Sequence, residues 1–203
     1  MALDALVGKY AWVNRIEGWT VAVMQRRSVD EVVRIYGGGR GEPMGELAFV
    51  DMDRHRGPDP GGVELFVQVV TGAEFTATLE HNGWSGSFPE IARRCSAGGG
   101  WSYGVTWNVN GAGMVTQAVD GTIVARFESL FSFEPEPRGD ERRPGWAIGP
   151  RVDPDLAWQV CMAQLEQRTG VEVEERWLRE PHPTFRIPEP YSLYRDVEGA
   201  DRY

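Results

Sequence analysis

The chain has little of what secreted proteins and membrane proteins depend on. Its 203 residues contain only two cysteines, Cys95 and Cys161. Both fall on predicted helix faces, where reduced core thiols are more common, although one disulfide between them is the alternative. No stretch approaches the ~20 apolar residues of a membrane-spanning helix. Met1–Lys9 contains an acidic residue and no long apolar run, unlike a signal peptide. We therefore expect a cytoplasmic protein with no membrane partner.

Positive charge is also scarce. The chain has 21 Lys and Arg residues against 30 Asp and Glu residues, a formal net charge of −9. Because an extended nucleic-acid surface needs clustered basic residues, we expect no direct contact with nucleic acid. Lys9 is the only lysine, which indicates the coding bias of a GC-rich genome rather than a chemical function. The acidic balance favours a basic protein as partner.

The sequence lacks the motifs that identify common enzyme classes. Gly83–Ser87 reads Gly-Trp-Ser-Gly-Ser, one residue out of register with the nucleophile elbow Gly-x-Ser-x-Gly. The glycine runs follow predicted helices instead of preceding them, unlike a phosphate-binding loop. The histidines His55, His81 and His182 have no catalytic partner implied by their spacing. These absences favour a protein that is not an enzyme and that needs no cofactor.

The patterns that are present predict an α+β fold with an antiparallel-rich sheet and helices packed on one face. Alternating residues such as Phe75, Ala77 and Leu79 predict strands, and Asp120-Gly121 predicts a hairpin turn. Helices are predicted after Ser28 and Ser87, each with a glutamate at capping-box spacing. The predicted strands lie at 18–25, 46–51, 63–70, 75–80 and in a three-stranded meander ending near 130.

An internal similarity suggests two related units. The sequence SVDEVVRIYGGG from Ser28 resembles SFPEIARRCSAGGG from Ser87, and both helices follow a strand and precede further strands. We predict β-α-β-β units at 18–71 and 74–130, while the alternative is that capped helices ending in glycine resemble each other by physics alone. A closing helix is predicted at 154–169. The predicted domain covers 1–178, followed by an irregular proline-rich tail at 179–203.

One candidate ligand site lies at the end of the strand that begins at Phe75. Glu80, His81 and Asn82 precede a predicted helix N-terminus, where free amides favour an anion, and His81 is a candidate general base. The alternative is that Asn82 serves only a turn, because adjacent residues of a strand point to opposite faces. Trp84 is predicted to be mostly buried, to pack over the following helix and to meet Trp107, or else to form an exposed binding platform.

Two further groups of residues are candidates. Asn108 and Asn110 place amides on the exposed side of a strand, where they bind sugars, peptides or another strand, or simply face solvent. Asp51, Asp53 and His55 share one face if this segment is a strand, and their oxygen and imidazole groups suit a divalent metal ion. The alternative is a strand that ends in a charged loop.

The chain resembles an uncharacterised family of actinobacterial proteins, a domain of unknown function. The resembling motifs are short and extend to about residue 178; they are Tyr10-Ala11-Trp12, the Ser28 helix, Asn82-Gly83-Trp84, Trp107–Asn110, Asp120-Gly121 and Thr169–Val171. The resemblance implies a cytoplasmic α+β protein and brings no established activity or site.

Two functional hypotheses follow. The first is a non-catalytic binding module of a bacterial cytoplasm, acting through protein contacts, with an immunity or defence role by analogy with other small acidic proteins. The second is a small-ligand binder or hydrolase-type enzyme that uses the strand-end site around His81, Asn82 and Trp84.

Overall fold

All the named strands belong to a single antiparallel sheet. The computed structural model describes residues 3–55, 64–108, 110, 113–128, 141–147 and 154–200. The strand order is β2-β8-β3-β4-β1-β5-β6-β7, and every neighbouring pair is antiparallel. The α+β class and the antiparallel sheet are therefore confirmed. The strands are β1 (Trp19–Gln25), β2 (Glu42–Ala48), β3 (Leu65–Thr71), β4 (Phe75–His81), β5 (Trp101–Trp107), β6 (Gly113–Val119), β7 (Thr122–Glu128) and β8 (Pro181–Ile187).

The helices pack on both faces of the sheet, so the expectation of helices on one face is wrong. The helices are α1 (Leu3–Lys9), α2 (Val29–Gly37), α3 (Pro89–Ser96), α4 (Ala157–Thr169) and α5 (Pro190–Tyr194). Residues of α1 and α4 join one hydrophobic core, and residues of α2, α3 and α5 join a second. The physical reason lies in β1, where Val21 and Val23 enter the first core while Met24 enters the second. A strand that is apolar on both sides needs cover on both sides.

The C-terminal segment is part of the sheet, so the prediction of an irregular tail is wrong. Strand β8 lies between β2 and β3. Pro181 and Pro183 pair with β2, whereas β3 pairs only with the part of β8 from Thr184 onward. The prolines therefore occupy the end of β8 that has one paired neighbour, where a missing N–H is tolerated. Tyr194 of α5 anchors the segment by donating a hydrogen bond of 2.7 Å to the carbonyl of Ile35.

The two predicted capping boxes have different outcomes. At α2, Ser28 and Glu31 form the predicted reciprocal pair of hydrogen bonds. At α3, the N-cap is Phe88, and the hydroxyl of Ser87 donates instead to the carbonyl of Trp84 at 3.0 Å. Glu90 pairs with two arginines of its own helix. The short 3-10 helix Ser85–Ser87 places Ser87 ahead of the α3 N-terminus, which explains why it does not cap.

The predicted repeat is matched in the order of elements but not in the positions of the strands. A strand, a helix and two further strands occur in each unit. However, β2 lies at one edge of the sheet, whereas β5, the corresponding strand, pairs with both β1 and β6. Duplication itself stays a prediction. The sequence at 134–151 is rich in proline, glycine and charge and predicts a surface connection, but this range lies mostly outside the described residues. Among the described helices, none combines the length and apolar character needed to cross a bilayer.

Candidate functional site

The end of β4 presents two adjacent residues to opposite sides of the sheet. Glu80 is fully buried, and its carboxylate accepts the backbone N–H groups of Ser85 at 2.9 Å and of Gly86 at 2.6 Å. Burial raises the pKa of Glu80 to about 7, although the two amide hydrogen bonds oppose this shift. Glu80 therefore holds the turn after β4 and is enclosed away from the surface.

The turn that covers Glu80 is tightly packed. Asn82 has a left-handed backbone with φ of 51°, a conformation that asparagine tolerates, as the turn prediction requires. An added Cβ at Gly83 would lie 2.6 Å from Oε2 of Glu80, so only glycine fits. The carbonyl of Gly83 accepts a hydrogen bond of 2.6 Å from the hydroxyl of Thr20. The Asn82-Gly83 pair thus has a structural role in addition to any contact with a ligand.

On the other side, His81 and Asn82 line a surface cleft of about 490 Å³. This volume is in the usual range of ligand pockets. Four parts of the chain meet there: the segment before β1, the 3-10 helix Phe49–His55, the end of β4 and the 3-10 helix Glu175–Leu178. The lining residues are Arg15, Ile16, Glu17, Gly18, Phe49, Val50, Asp53, His81, Asn82 and Leu178.

The imidazole of His81 is held between a carboxylate and an aromatic ring. Oδ1 of Asp53 lies 3.3 Å from Nδ1 of His81. The ring of Phe49 meets the His81 ring edge to face, with centroids 5.2 Å apart, and Trp19 contacts Phe49 from behind at 5.9 Å. Because Phe49 and Trp19 are buried, the imidazole is supported by the rigid core. A carboxylate that orients an imidazole is an arrangement suited to hydrogen bonding or to general base chemistry.

The structure does not bring the three predicted metal ligands together. Strand β2 ends at Ala48, and Asp51, Asp53 and His55 lie on a 3-10 helix, so the expected shared strand face does not exist. Asp51 pairs with Arg54 at 2.6 Å. Within the described ranges, no group of three His, Cys, Asp or Glu side chains could hold a metal ion. The prediction of a strand over this segment was wrong. Its buried residues, Phe49 and Met52, are three residues apart, which is the spacing of a helical turn, whereas a strand buries every second residue.

The predicted amide pair lies beside the cleft rather than in it. Asn108 follows β5, and its side-chain oxygen accepts the backbone N–H of Asn110 at 2.9 Å. This local turn explains why both amides occur there. Gly18 lines the cleft, and a Cβ added at Gly18 would lie 3.5 Å from the Cα of Asn108. Asn108 is therefore close to the cleft. Asn110 is exposed.

Trp84 belongs to the opposite side of the sheet. It is half-buried and packs against the second core, which contains Phe88 and Ile91, as the staple-like interpretation expects. The predicted contact with Trp107 is wrong, because Trp107 lies in the first core and stacks on Trp158 at 5.2 Å. The indole nitrogen of Trp84 is enclosed and has no hydrogen-bond partner among the residues that the structure describes. Trp84 is therefore not a lining residue of the cleft.

Several residues of the cleft carry no signal in the sequence. Val50 is the clearest case: it is 62% exposed, although it lies in a run that the sequence favours as a strand. Arg15 and Glu17 precede β1 without any motif, and Leu178 comes from a region of ambiguous pattern. Only the pairing of distant segments places these residues beside His81, so no local pattern could identify them.

A second cleft of about 370 Å³ offers a useful contrast. Its apolar wall is formed by Phe75 and Trp177, whose rings stack at 5.9 Å. Its charged groups already satisfy one another, because Arg176 bridges Glu174 at 2.7 Å and Glu180 at 3.0 Å. The first cleft has polar groups that face open space beside an exposed apolar rim, and it is the better candidate.

Comparison of the chain with protein-family models, with curated proteins and with solved structures gave no match. The resemblance to an actinobacterial family therefore stays a prediction, and the functional argument depends on the cleft.

Proposed function

We propose that the protein is a non-catalytic binding module that contacts a partner protein through the cleft at the end of β4. The observation that carries the proposal is Val50, an apolar residue that is 62% exposed at the same cleft as Asp53, His81 and Asn82. Ile16 and Leu178 extend the apolar surface at this cleft, and a continuous apolar surface bordered by polar groups is typical of a protein-binding site.

The charge of the chain supports a basic partner. With a net charge of −9, the protein attracts basic surfaces over long range and repels acidic ones. The role that we propose is that of an immunity or defence-related partner protein in a bacterial cytoplasm. Its basis is analogy with small acidic inhibitors, together with the net charge.

The test is an affinity capture with matched surface variants. The wild-type protein should retain a stoichiometric partner from a lysate of its source organism, and Val50→Arg should lose it, because the added cation must be desolvated on binding and repels a basic partner. Val124→Arg is the control, since Val124 is 43% exposed on β7, at the far edge of the sheet. Equal capture by both variants would rule out the cleft as the binding surface.

A second candidate function is a small-ligand binder or hydrolase-type enzyme at the same cleft. The observation that favours it is the pair formed by His81 and Asp53, whose side chains have the arrangement of a base and its orienting carboxylate. Among the described residues that line the cleft there is no serine, cysteine or threonine, so a hydrolase built from them would have to activate water. A thermal-shift screen with nucleotides, sugars and esters tests it, because a bound ligand raises the melting temperature. Hits that persist in His81→Ala would contradict it.

A further inference from the structure

The turn after β4, residues 82–86, lies directly on the sheet and encloses a carboxyl group. A Cβ added at Gly86 would lie 2.9 Å from the Cβ of Ala22, and one added at Gly104 would collide with the carbonyl of Gly86. Glu80 is fully buried beneath this turn, and no described cation forms an ion pair with it. The ionised form of Glu80 therefore loses its hydration and gains only two backbone amides in return.

Glu80 is the group of this enclosed region that changes charge near neutral pH. Its neighbour in the register of β1 is Thr20, which does not titrate. From α2 it is faced by Tyr36, whose pKa is raised well above its ordinary value by burial, with smaller effects of Cys95 and Glu80. Burial also raises the pKa of Cys95 on α3 to about 12. Tyr36 and Cys95 are thus neutral where Glu80, with a pKa of about 7, gains its charge.

The turn also contains two donors that the packed arrangement leaves unsatisfied. The indole nitrogen of Trp84 and the hydroxyl of Ser85 are enclosed and have no hydrogen-bond partner in the described part of the chain. Enclosed donors without an acceptor cost free energy. A displaced turn that brings water or these donors to the carboxylate recovers part of that cost, and it does so most when Glu80 is ionised.

The same turn forms part of the cleft on the other side of the sheet. The N–H of Asn82 donates to the carbonyl of Gly18 at 3.1 Å, and both residues line the cleft. A Cβ added at Gly18 would lie 3.2 Å from Oδ1 of Asn82, so the two residues are in close contact. A displacement of the turn therefore moves the wall of the cleft.

We propose that ionisation of Glu80 displaces residues 82–86 from the sheet and changes the cleft at Gly18 and Asn82. This inference rests on the proposed function and adds the regulation of its site: the cleft described above belongs to protonated Glu80, and a partner binds it less tightly as pH rises through neutrality. In the displaced form the carboxyl group is hydrated and has its ordinary pKa of 4.5. Each pH unit from 4.5 to about 7 then favours the displaced form about tenfold, at most about 300-fold in total.

The experiment is an NMR titration of the full isotope-labelled chain across neutral pH, compared with Glu80→Gln. In the wild type, the side-chain carboxyl carbon of Glu80 and the amide signals of Gly18, Asn82, Ser85 and Gly86 should share one midpoint near pH 7. In Glu80→Gln, the amide signals of Ser85 and Gly86 should keep their low-pH positions throughout. A Glu80 carbon that titrates near its ordinary pKa of 4.5 overturns the inference.

His81 requires a separate control, because histidine side chains change charge in the same pH range. His81→Gln removes the imidazole and retains Glu80, so the signals of Gly18 and Asn82 should still titrate in this variant. Loss of their titration overturns the inference, because the imidazole would then be its source. This control also decides the matter if Glu80→Gln does not fold.

The titration needs no partner, so its outcome is independent of the capture experiment. A partner that is captured by the wild type and lost by Val50→Arg, without titration of the cleft through Glu80, would leave the binding module intact and remove only its regulation. Titration of the cleft through Glu80 without a captured partner would support the movement of the turn and contradict the proposed function.

Discussion

At the end of β4, one residue is enclosed by the fold and its neighbour borders a cleft. On one side, Glu80 is enclosed and uses both carboxylate oxygens on backbone amides. On the other side, His81 contacts Asp53 and Phe49 and still borders open space. The two residues are neighbours in sequence and have comparable chemistry as acid–base groups. Their environments differ because alternation along a strand sends one beneath a packed turn and the other into a cleft.

This difference teaches that a polar cluster in a sequence can divide into unrelated roles. The enclosed side is expected to control stability, and the cleft side is expected to control binding.

The largest expected effect is that of Glu80→Ala on stability. The substitution removes the acceptor of two buried amide N–H groups and opens a cavity, so we expect the free energy of unfolding to fall by about 4 kcal/mol. Urea denaturation at about pH 5 measures it. Glu17→Ala, at an exposed site, is the control and should change stability by less than about 0.5 kcal/mol. Equal stability of the two variants would show that Glu80 does not hold the turn.

The free energy of unfolding should also depend on pH through the carboxyl group of Glu80. The pKa of Glu80 is about 7 in the folded chain and 4.5 in the unfolded chain, so the folded state binds more protons between these values. The free energy of unfolding should therefore be highest below about pH 4.5 for this group and fall by about 3 kcal/mol as pH rises through about 7.

Glu80→Gln isolates this contribution because it lacks the titrating group. The unfolding free energy of the wild type minus that of Glu80→Gln should fall by about 3 kcal/mol as pH rises across this window, measured by urea denaturation at several pH values. A difference that stays constant with pH would mean that burial does not raise the pKa of Glu80.

The smallest expected effect on stability is that of His81→Ala. The side chain of His81 is 25% exposed, and its contacts with Asp53 and Phe49 lie at the border of the cleft, so we expect a loss below about 1 kcal/mol. Thermal and urea unfolding measure the change. The comparison between the two sides would fail if His81→Ala destabilised the protein as much as Glu80→Ala, because His81 would then be a structural residue.

Much of the local structure follows from the sequence. The alternation from Phe75 to Glu80 predicts β4, the spacing of Ser28 and Glu31 predicts the cap of α2, and Asn82-Gly83 predicts a turn with positive φ. These features depend on steric limits and on hydrogen bonds between residues close in the chain, so they can be derived without the fold.

Other features depended on contacts between distant segments. Pro181–Ile187 forms β8 because it pairs with β2 on one side and with β3 on the other. The segment contains prolines and has no local pattern that predicts a strand. Ser87 fails to cap α3 because the turn held by Glu80 displaces it. Asp53 meets His81 because a 3-10 helix after β2 folds across the end of β4.

The sequence by itself determined the α+β class, the acidic surface and the position of a polar turn at the end of β4. Only the tertiary structure decided which polar residues are enclosed and which face a cleft, and which remote residues join them there. The physical reason is that periodicity and turn chemistry act over a few residues, whereas burial and cleft formation depend on the order of strands in the sheet.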